Sequence, residues 1–159
     1  RIAAGVGAVD DEAHRFYWEG MPVWGKLREN AETFAGHKAC VVASTYCNSW
    51  IFEDLSHEDP FEGMARAYTE LFIVRSEKFK QQYLEGMVRD YNINGIIYHD
   101  CKTCPNNSNN RYGLPVRLRD SMGVPYVVIN GDLNDLRLYS EEQAKTQFEA
   151  LVEQLQETK

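Results

Sequence analysis

The sequence predicts a three-layer α/β domain, and three observations carry that prediction. Short apolar runs of strand length alternate with longer segments of helical period. Each apolar run ends in polar or glycine-bearing residues, as strands buried on both faces do. The closing segment carries a helix-start signal followed by one apolar stripe, which needs a sheet to dock on.

The elements follow in order. Residues 1–12 have little turn or strand logic. Arg15-Phe16-Tyr17-Trp18 reads as the first strand, ended by Gly20 and Pro22. Residues 23–34 suit a helix closed by Gly36, a residue fitted to the left-handed position just past a helix end. Residues 38–44 form the second strand. In residues 60–91, Met64, Tyr68, Leu71, Phe72 and Phe79 recur at helical spacing and predict one long helix or two consecutive ones. Gly95-Ile96-Ile97-Tyr98 is the third strand. Residues 111–122 place Leu114, Leu118 and Met122 four apart, and Gly123 ends that turn. Residues 125–130 are the fourth strand.

Ser140-Glu141-Glu142-Gln143 has the form of a capping box, in which Ser and the residue three later each satisfy an orphan backbone donor. Beyond it Ala144, Phe148, Leu151, Val152 and Leu155 align on one face. Strands joined by helices of this length call for right-handed crossovers. The expected result is a single domain over residues 1–159, flavodoxin-like in build, with a four-stranded, mostly parallel sheet.

Composition narrows the function classes. The chain has 159 residues, 43% of them hydrophobic and 26% charged, which is enough for one core. No apolar run reaches membrane-spanning length and no signal-peptide layout opens the chain, so the expectation is a cytoplasmic protein without a membrane partner. A net charge of −7 without a basic stripe argues against nucleic acid. Arg111, Arg117 and Arg119 read as the solvent face of a short helix. The start at Arg1, without an initiator Met, suggests a domain excised from a longer subunit.

Four cysteines in such a chain point to metal or redox chemistry before a disulfide framework. Cys40 lies inside the apolar run 39–43, where a thiol behaves as a small hydrophobe. Cys101 and Cys104 form a C-x-x-C directly after the third strand, in His99-Asp100-Cys101-Lys102-Thr103-Cys104-Pro105-Asn106-Asn107. A thioredoxin-type redox pair would open a helix, but Pro105 and several asparagines intervene. Structural zinc needs four ligands, commonly from two such pairs. Iron–sulfur ligation suits a polar loop, whose N–H groups donate to cluster sulfurs. Two functionless thiols are the plain alternative.

Cys47 follows the second strand and approaches the same edge if strands two and three are near neighbours. Three thiols would still leave a [4Fe–4S] cluster one ligand short. His99 reads as a hydrogen-bonded strand-end residue or a proton-transfer group. His14, His37 and His57 fall in boundary or loop positions, where solvation is the default. Asp132 and Asp135 either face the cleft or cap the approach to the last helix. Trp18, Trp24 and Trp50 suit core packing, or the lining of an aromatic or acyl pocket. Gly5-Val6-Gly7 lacks a third glycine and a preceding strand, so no Walker or Rossmann site is supported.

The ordered set of motifs resembles one family. Tyr98 through Asn107, then Arg111-Tyr112-Gly113-Leu114-Pro115, Gly123-Val124-Pro125, Gly131-Asp132-Leu133-Asn134-Asp135-Leu136-Arg137 and Tyr139 through Gln143 are similar to the benzoyl-CoA reductase and 2-hydroxyacyl-CoA dehydratase family. Glu19-Gly20-Met21-Pro22-Val23-Trp24 fits as well, and Cys-Lys-Thr-Cys-Pro-Asn-Asn looks closer to the reductase branch.

The resemblance implies the C-terminal flavodoxin-like domain of a cluster-binding subunit of benzoyl-CoA reductase, which reduces an aromatic acyl-CoA. The alternatives are a 2-hydroxyacyl-CoA dehydratase subunit, working by radical loss of water, or a non-catalytic assembly module. The implied cofactor is a [4Fe–4S] cluster in the full-length subunit, with ligands from more than one domain and none held stably by residues 1–159 alone. The implied partners are a homologous cluster-binding subunit, an ATP-hydrolysing electron donor and an acyl-CoA substrate. Carried over residue by residue, the family's spacing favours Cys104 as the iron ligand, with Cys101 as the alternative.

Overall fold

The computed structural model describes residues 1–49, 51–52, 55, 58–104 and 112–157. Four strands form one sheet: β1, His14–Glu19; β2, Ala39–Ser44; β3, Gly95–Cys101; and β4, Tyr126–Gly131. Their order is β2-β1-β3-β4, and each neighbouring pair is parallel. Six α-helices accompany them among the described residues: α1, Leu27–Gly36; α2, Thr45–Asn48; α3, Pro60–Thr69; α4, Glu77–Asp90; α5, Leu114–Met122; and α6, Glu141–Glu157. Parallel neighbours cannot be joined by tight hairpins, so the connections cross the sheet faces and carry these helices.

Side-chain alternation along each strand builds two cores. Phe16, Trp18, Ile97 and Ile129 pack on one face with Phe34 of α1 and with Ala144, Phe148, Leu151 and Val152 of α6. Phe148 sits at the centre, its ring 5.5 Å from Phe16 and 4.6 Å from Phe34. On the other face Tyr17, Ile96 and Tyr98 meet Leu84, Met87 and Val88 of α4 and Leu114 and Leu118 of α5. The expected three-layer α/β domain is therefore observed, and its sheet is wholly parallel among the described residues.

The expectation of one helix or two consecutive ones over residues 60–91 resolves to two, and other local expectations change. Residues 60–91 form two helices separated by a 3₁₀ turn at Phe72–Val74, and Ser76 Oγ starts the second by accepting the Phe79 N–H at 3.3 Å. In α3 the buried residues are Gly63 and Ala67, while Met64 and Tyr68 are exposed. Gly36 is the last residue of α1 and does not take the left-handed position. Lys38 does, at φ +56°, while its carbonyl accepts the Ala13 and His14 amides and so turns the chain into β2.

Two further corrections come from sheet order. Cys40 is only half-buried, because β2 is the outer strand and lacks a second neighbour among the described residues; partial burial still pushes its thiol pKa up. His14 is buried, not solvated, because β1 is a central strand whose first residue already pairs with Ala39. His37 is half-buried with Nε2 3.7 Å from Glu149, and His57 lies outside the described residues.

Gly123 ends α5 in the left-handed conformation, and Ser140 Oγ accepts the Gln143 N–H at the start of α6, as the motifs required. Arg117 pairs with Gln81 and Glu77 of α4, and Arg119 with Asp120, which bears out their solvent-face reading; Arg111 is outside the described residues.

Candidate functional site at the carboxyl edge of β3

Ligands of open parallel sheets bind outside the carboxyl ends of the strands, where strand order reverses. Here the reversal falls between β1 and β3: the chain leaves β1 toward β2 on one side and later returns to form β3 on the other. The residues at that point are Glu19 at the end of β1, Gly20 and Met21 just after it, and His99 through Cys104 at the end of β3.

Gly20 lets the two segments approach closely. Its φ is +98°, and a Cβ there would stand 3.2 Å from the His99 carbonyl oxygen. The next carbonyl, of Met21, accepts from Trp18 Nε1 at 3.1 Å and from His99 Nδ1 at 2.5 Å. A carbonyl only accepts, so Nδ1 carries the proton. Burial pushes the His99 pKa below its usual value, which keeps the ring neutral. Its Nε2 is buried, makes no hydrogen bond among the described residues, and lies where a side chain on Gly131 would fall.

Glu19 ends β1 as a fully buried carboxyl group. It faces Tyr17 and Tyr98, whose hydroxyl pKa values are raised first by burial and then by that neighbouring charge. An acidic residue closing an apolar strand run was the available sequence signal for it. Asp100 is also buried; it pairs with Lys102 Nζ, which donates to Asn130 Oδ1 at 2.8 Å as well.

The dithiol loop is fastened to the end of β4. Cys101 pairs with Gly131, and the Lys102 N–H donates to the Gly131 carbonyl at 3.0 Å. Asp132 Oδ2 then accepts from Thr103 N at 3.1 Å and Thr103 Oγ1 at 2.5 Å, and Cys101 Sγ lies 4.0 Å from the same oxygen. Asp132 Oδ1 accepts the Asn134 and Asp135 N–H groups, both at 3.2 Å. The Thr103 hydroxyl is the largest of the influences that hold the Asp132 carboxyl pKa down to about 2.

The two thiols differ sharply. Cys101 is 1% exposed, whereas Cys104 is half-exposed, its N–H donating to the Cys101 carbonyl at 3.3 Å to close a turn. Cys47 lies on the same edge of the sheet, exposed in α2, but β1 separates β2 from β3. With strands ~4.8 Å apart, the ends of β2 and β3 are roughly 10 Å from each other. No group of three or more His, Cys, Asp or Glu side chains is disposed to hold a metal among the described residues.

Other candidates take structural places. Asp135 caps the 3₁₀ turn Leu136–Leu138 and pairs with Arg137 at 2.7 Å, so it serves the approach to α6 while Asp132 faces the loop. Trp18 is core; Trp24 is partly exposed against Tyr46, and Trp50 lies outside the described residues. No helix among the described residues is long and apolar enough to cross a membrane.

Fold and site together define a parallel α/β domain that presents a braced dithiol loop at its switch point. The chain belongs to the 2-hydroxyglutaryl-CoA dehydratase, D-component family, whose model matches residues 1–155. It is similar to the lactoyl-CoA dehydratase alpha subunit of Anaerotignum propionicum, 28% identical over 145 residues that cover 91% of this chain and 34% of the relative. It is similar also to the (R)-2-hydroxyisocaproyl-CoA dehydratase alpha subunit of Clostridioides difficile, 28% identical over 151 residues, 94% of this chain and 36% of the relative. A benzoyl-CoA reductase subunit of Thauera aromatica is 26% identical over 148 residues, 91% of this chain and 34% of the relative. The chain thus spans about a third of the length of these curated relatives.

Proposed function

We propose that this chain is the flavodoxin-like domain of a cluster-bearing subunit in an enzyme of the 2-hydroxyacyl-CoA dehydratase type, and that Cys104 is its ligand to a [4Fe–4S] cluster. The observation that carries the reading is the Cys101–Cys104 turn at the switch-point end of β3, in a chain whose family model covers residues 1–155. The donor set fits a partial site: thiols suit iron, and the described residues offer too few ligands for a whole cluster. The remaining ligands then come from outside residues 1–159, and this chain alone holds no stable cluster.

When bound, such a cluster supplies single electrons at low potential to a CoA thioester. The chain's own residues position it. Lys102 N and Thr103 fix the loop to β4, Asp132 holds Thr103, and Cys104 is the next residue, half-exposed where Cys101 is buried. Burial of Cys101 against the Asp132 carboxylate favours Cys104 as the iron-binding thiolate.

Partners under this reading are a homologous cluster-bearing subunit and an ATP-hydrolysing electron donor, with an acyl-CoA as substrate. Relatives named as 2-hydroxyacyl-CoA dehydratase subunits favour dehydration. The Cys-Lys-Thr-Cys-Pro-Asn-Asn tract and the benzoyl-CoA reductase relative support ring reduction as the second reading.

The test is made on the full-length subunit, purified anaerobically with its partner. Cys104→Ser is expected to lose iron and turnover, while Cys101→Ser retains the iron. Full iron in the Cys104 variant overturns the ligand assignment, and unchanged turnover in both variants points to an assembly module. Supplying a 2-hydroxyacyl-CoA and benzoyl-CoA in parallel separates dehydration from reduction. Anaerobic reconstitution of residues 1–159 is expected to yield no stoichiometric iron and sulfide; an oxygen-sensitive [4Fe–4S] centre there overturns the partial-site reading.

A further inference from the structure

Asp132 is buried, yet among the described residues every hydrogen-bond donor that reaches it is neutral: the Thr103 hydroxyl and amide, the Cys101 thiol, and the Asn134 and Asp135 amides. Neutral donors stabilise a carboxylate without cancelling its charge. The neighbouring carboxylate behaves differently, because Asp100 is paired with the Lys102 ammonium. Among the described residues, the end of β4 therefore holds one negative charge without a cationic partner, directly behind the loop that leads into Cys104.

The two oxygens of Asp132 divide their work. Oδ1 ties down its own loop through Asn134 and Asp135, and Oδ2 ties down the β3 loop through Thr103. Through that second oxygen the carboxylate fixes the backbone one residue before Cys104. A fixed negative charge in a water-poor setting opposes the addition of an electron to a nearby redox group, which lowers its potential.

We propose that Asp132 is a positioning residue for the Cys101–Cys104 loop and sets a low reduction potential for the cluster held there. This inference rests on the cluster reading above. It assigns to one side chain of this domain the electrostatic tuning of the site as well as the geometry of the loop.

The experiment uses the full-length subunit with its partner, handled anaerobically, with iron content and the midpoint potential followed by spectroscopic redox titration. Asp132→Asn is expected to keep its iron and shift the midpoint in the positive direction, and Asp132→Glu to stay near the parent. Thr103→Val removes a hydroxyl donor and leaves the charge less screened, so its midpoint shifts in the negative direction. Opposite shifts separate electrostatic tuning from simple loosening, which moves both variants the same way. A loaded Asp132→Asn with an unchanged midpoint overturns the inference. If that variant does not load, an unchanged or positively shifted midpoint in Thr103→Val overturns it instead. A parent subunit without any cluster overturns the proposed function itself, and this inference with it.

Discussion

His99 Nδ1 lies 2.5 Å from the carbonyl oxygen of Met21, and through that contact β3 holds the loop that leaves β1. The contact falls just beyond the last paired residues of the two strands, Glu19 and Tyr98. It extends their association into the region where backbone pairing has stopped. Trp18 reaches the same carbonyl from β1, so one acceptor serves two buried rings whose centroids are 6.0 Å apart.

That shared acceptor predicts non-additive mutants. His99→Ala removes a buried ring and its hydrogen bond, and should cost about 2–4 kcal/mol. Trp18→Phe deletes the second donor and should cost about 1–2 kcal/mol. Denaturant unfolding of the single and double variants is expected to show coupling of about 0.5 kcal/mol or more, as for residues that share a partner. Strict additivity would show that the two rings act independently.

Tyr17 and Tyr98 give a second prediction, because adjacent strands treat two buried hydroxyls differently. Tyr17 OH lies 3.0 Å from Thr45 Oγ1, whereas Tyr98 OH is buried without a hydrogen-bond partner among the described residues. Tyr17→Phe should lose about 1 kcal/mol, while Tyr98→Phe should be neutral or stabilising, since it removes an unsatisfied polar group. A loss of similar size in both variants, measured by thermal or denaturant unfolding, would contradict this contrast.

These contrasts show where sequence reading reaches its limit. The four strands and α6 were legible because their signals are local: apolar runs ended by polar residues, and a Ser140 cap followed by Ala144, Phe148, Leu151 and Val152. Cys101 and Cys104 were legible as a strand-end pair for the same reason. The role of Asp132 was not, because its partner Thr103 is 29 residues away and meets it only once β3 and β4 lie side by side. The burial of His14 and the half-exposure of Cys40 likewise depend on β1 being central and β2 outermost, an order that no local pattern encodes.

Gly131 yields a steric prediction at the same edge. A Cβ there would stand 2.9 Å from His99 Nε2 and 3.3 Å from Tyr139 Cδ2. The imidazole cannot retreat without giving up Met21. Gly131→Ala should therefore destabilise the protein by about 1–3 kcal/mol, and Gly131→Ala combined with His99→Ala should lose less than the sum of the two. Additive losses in unfolding experiments would place the clash elsewhere.

Stability should fall with acid in two stages. The folded-state pKa of His99 is lowered, chiefly by burial, from an ordinary value near 6.5. Above that pH neither folded nor unfolded chain protonates this ring, and its contribution is fully present. As pH falls below about 6.5 the unfolded chain takes up a proton that the folded one resists, so stability drops until the folded pKa is passed. Asp132 follows the same sign at lower pH: its contribution is complete above its ordinary value of 3.8 and is lost as pH falls to about 2. Denaturant midpoints measured from pH 7.5 down to pH 3, at about 0.5-unit steps, should decline in the parent, and the part of the decline above pH 5 should flatten in His99→Phe. The Phe variant keeps a ring in the site but has nothing to titrate. A His99→Phe curve parallel to the parent would move the acid sensitivity in that range to another group, and the decline below pH 4 should persist in His99→Phe and be weakened by Asp132→Asn.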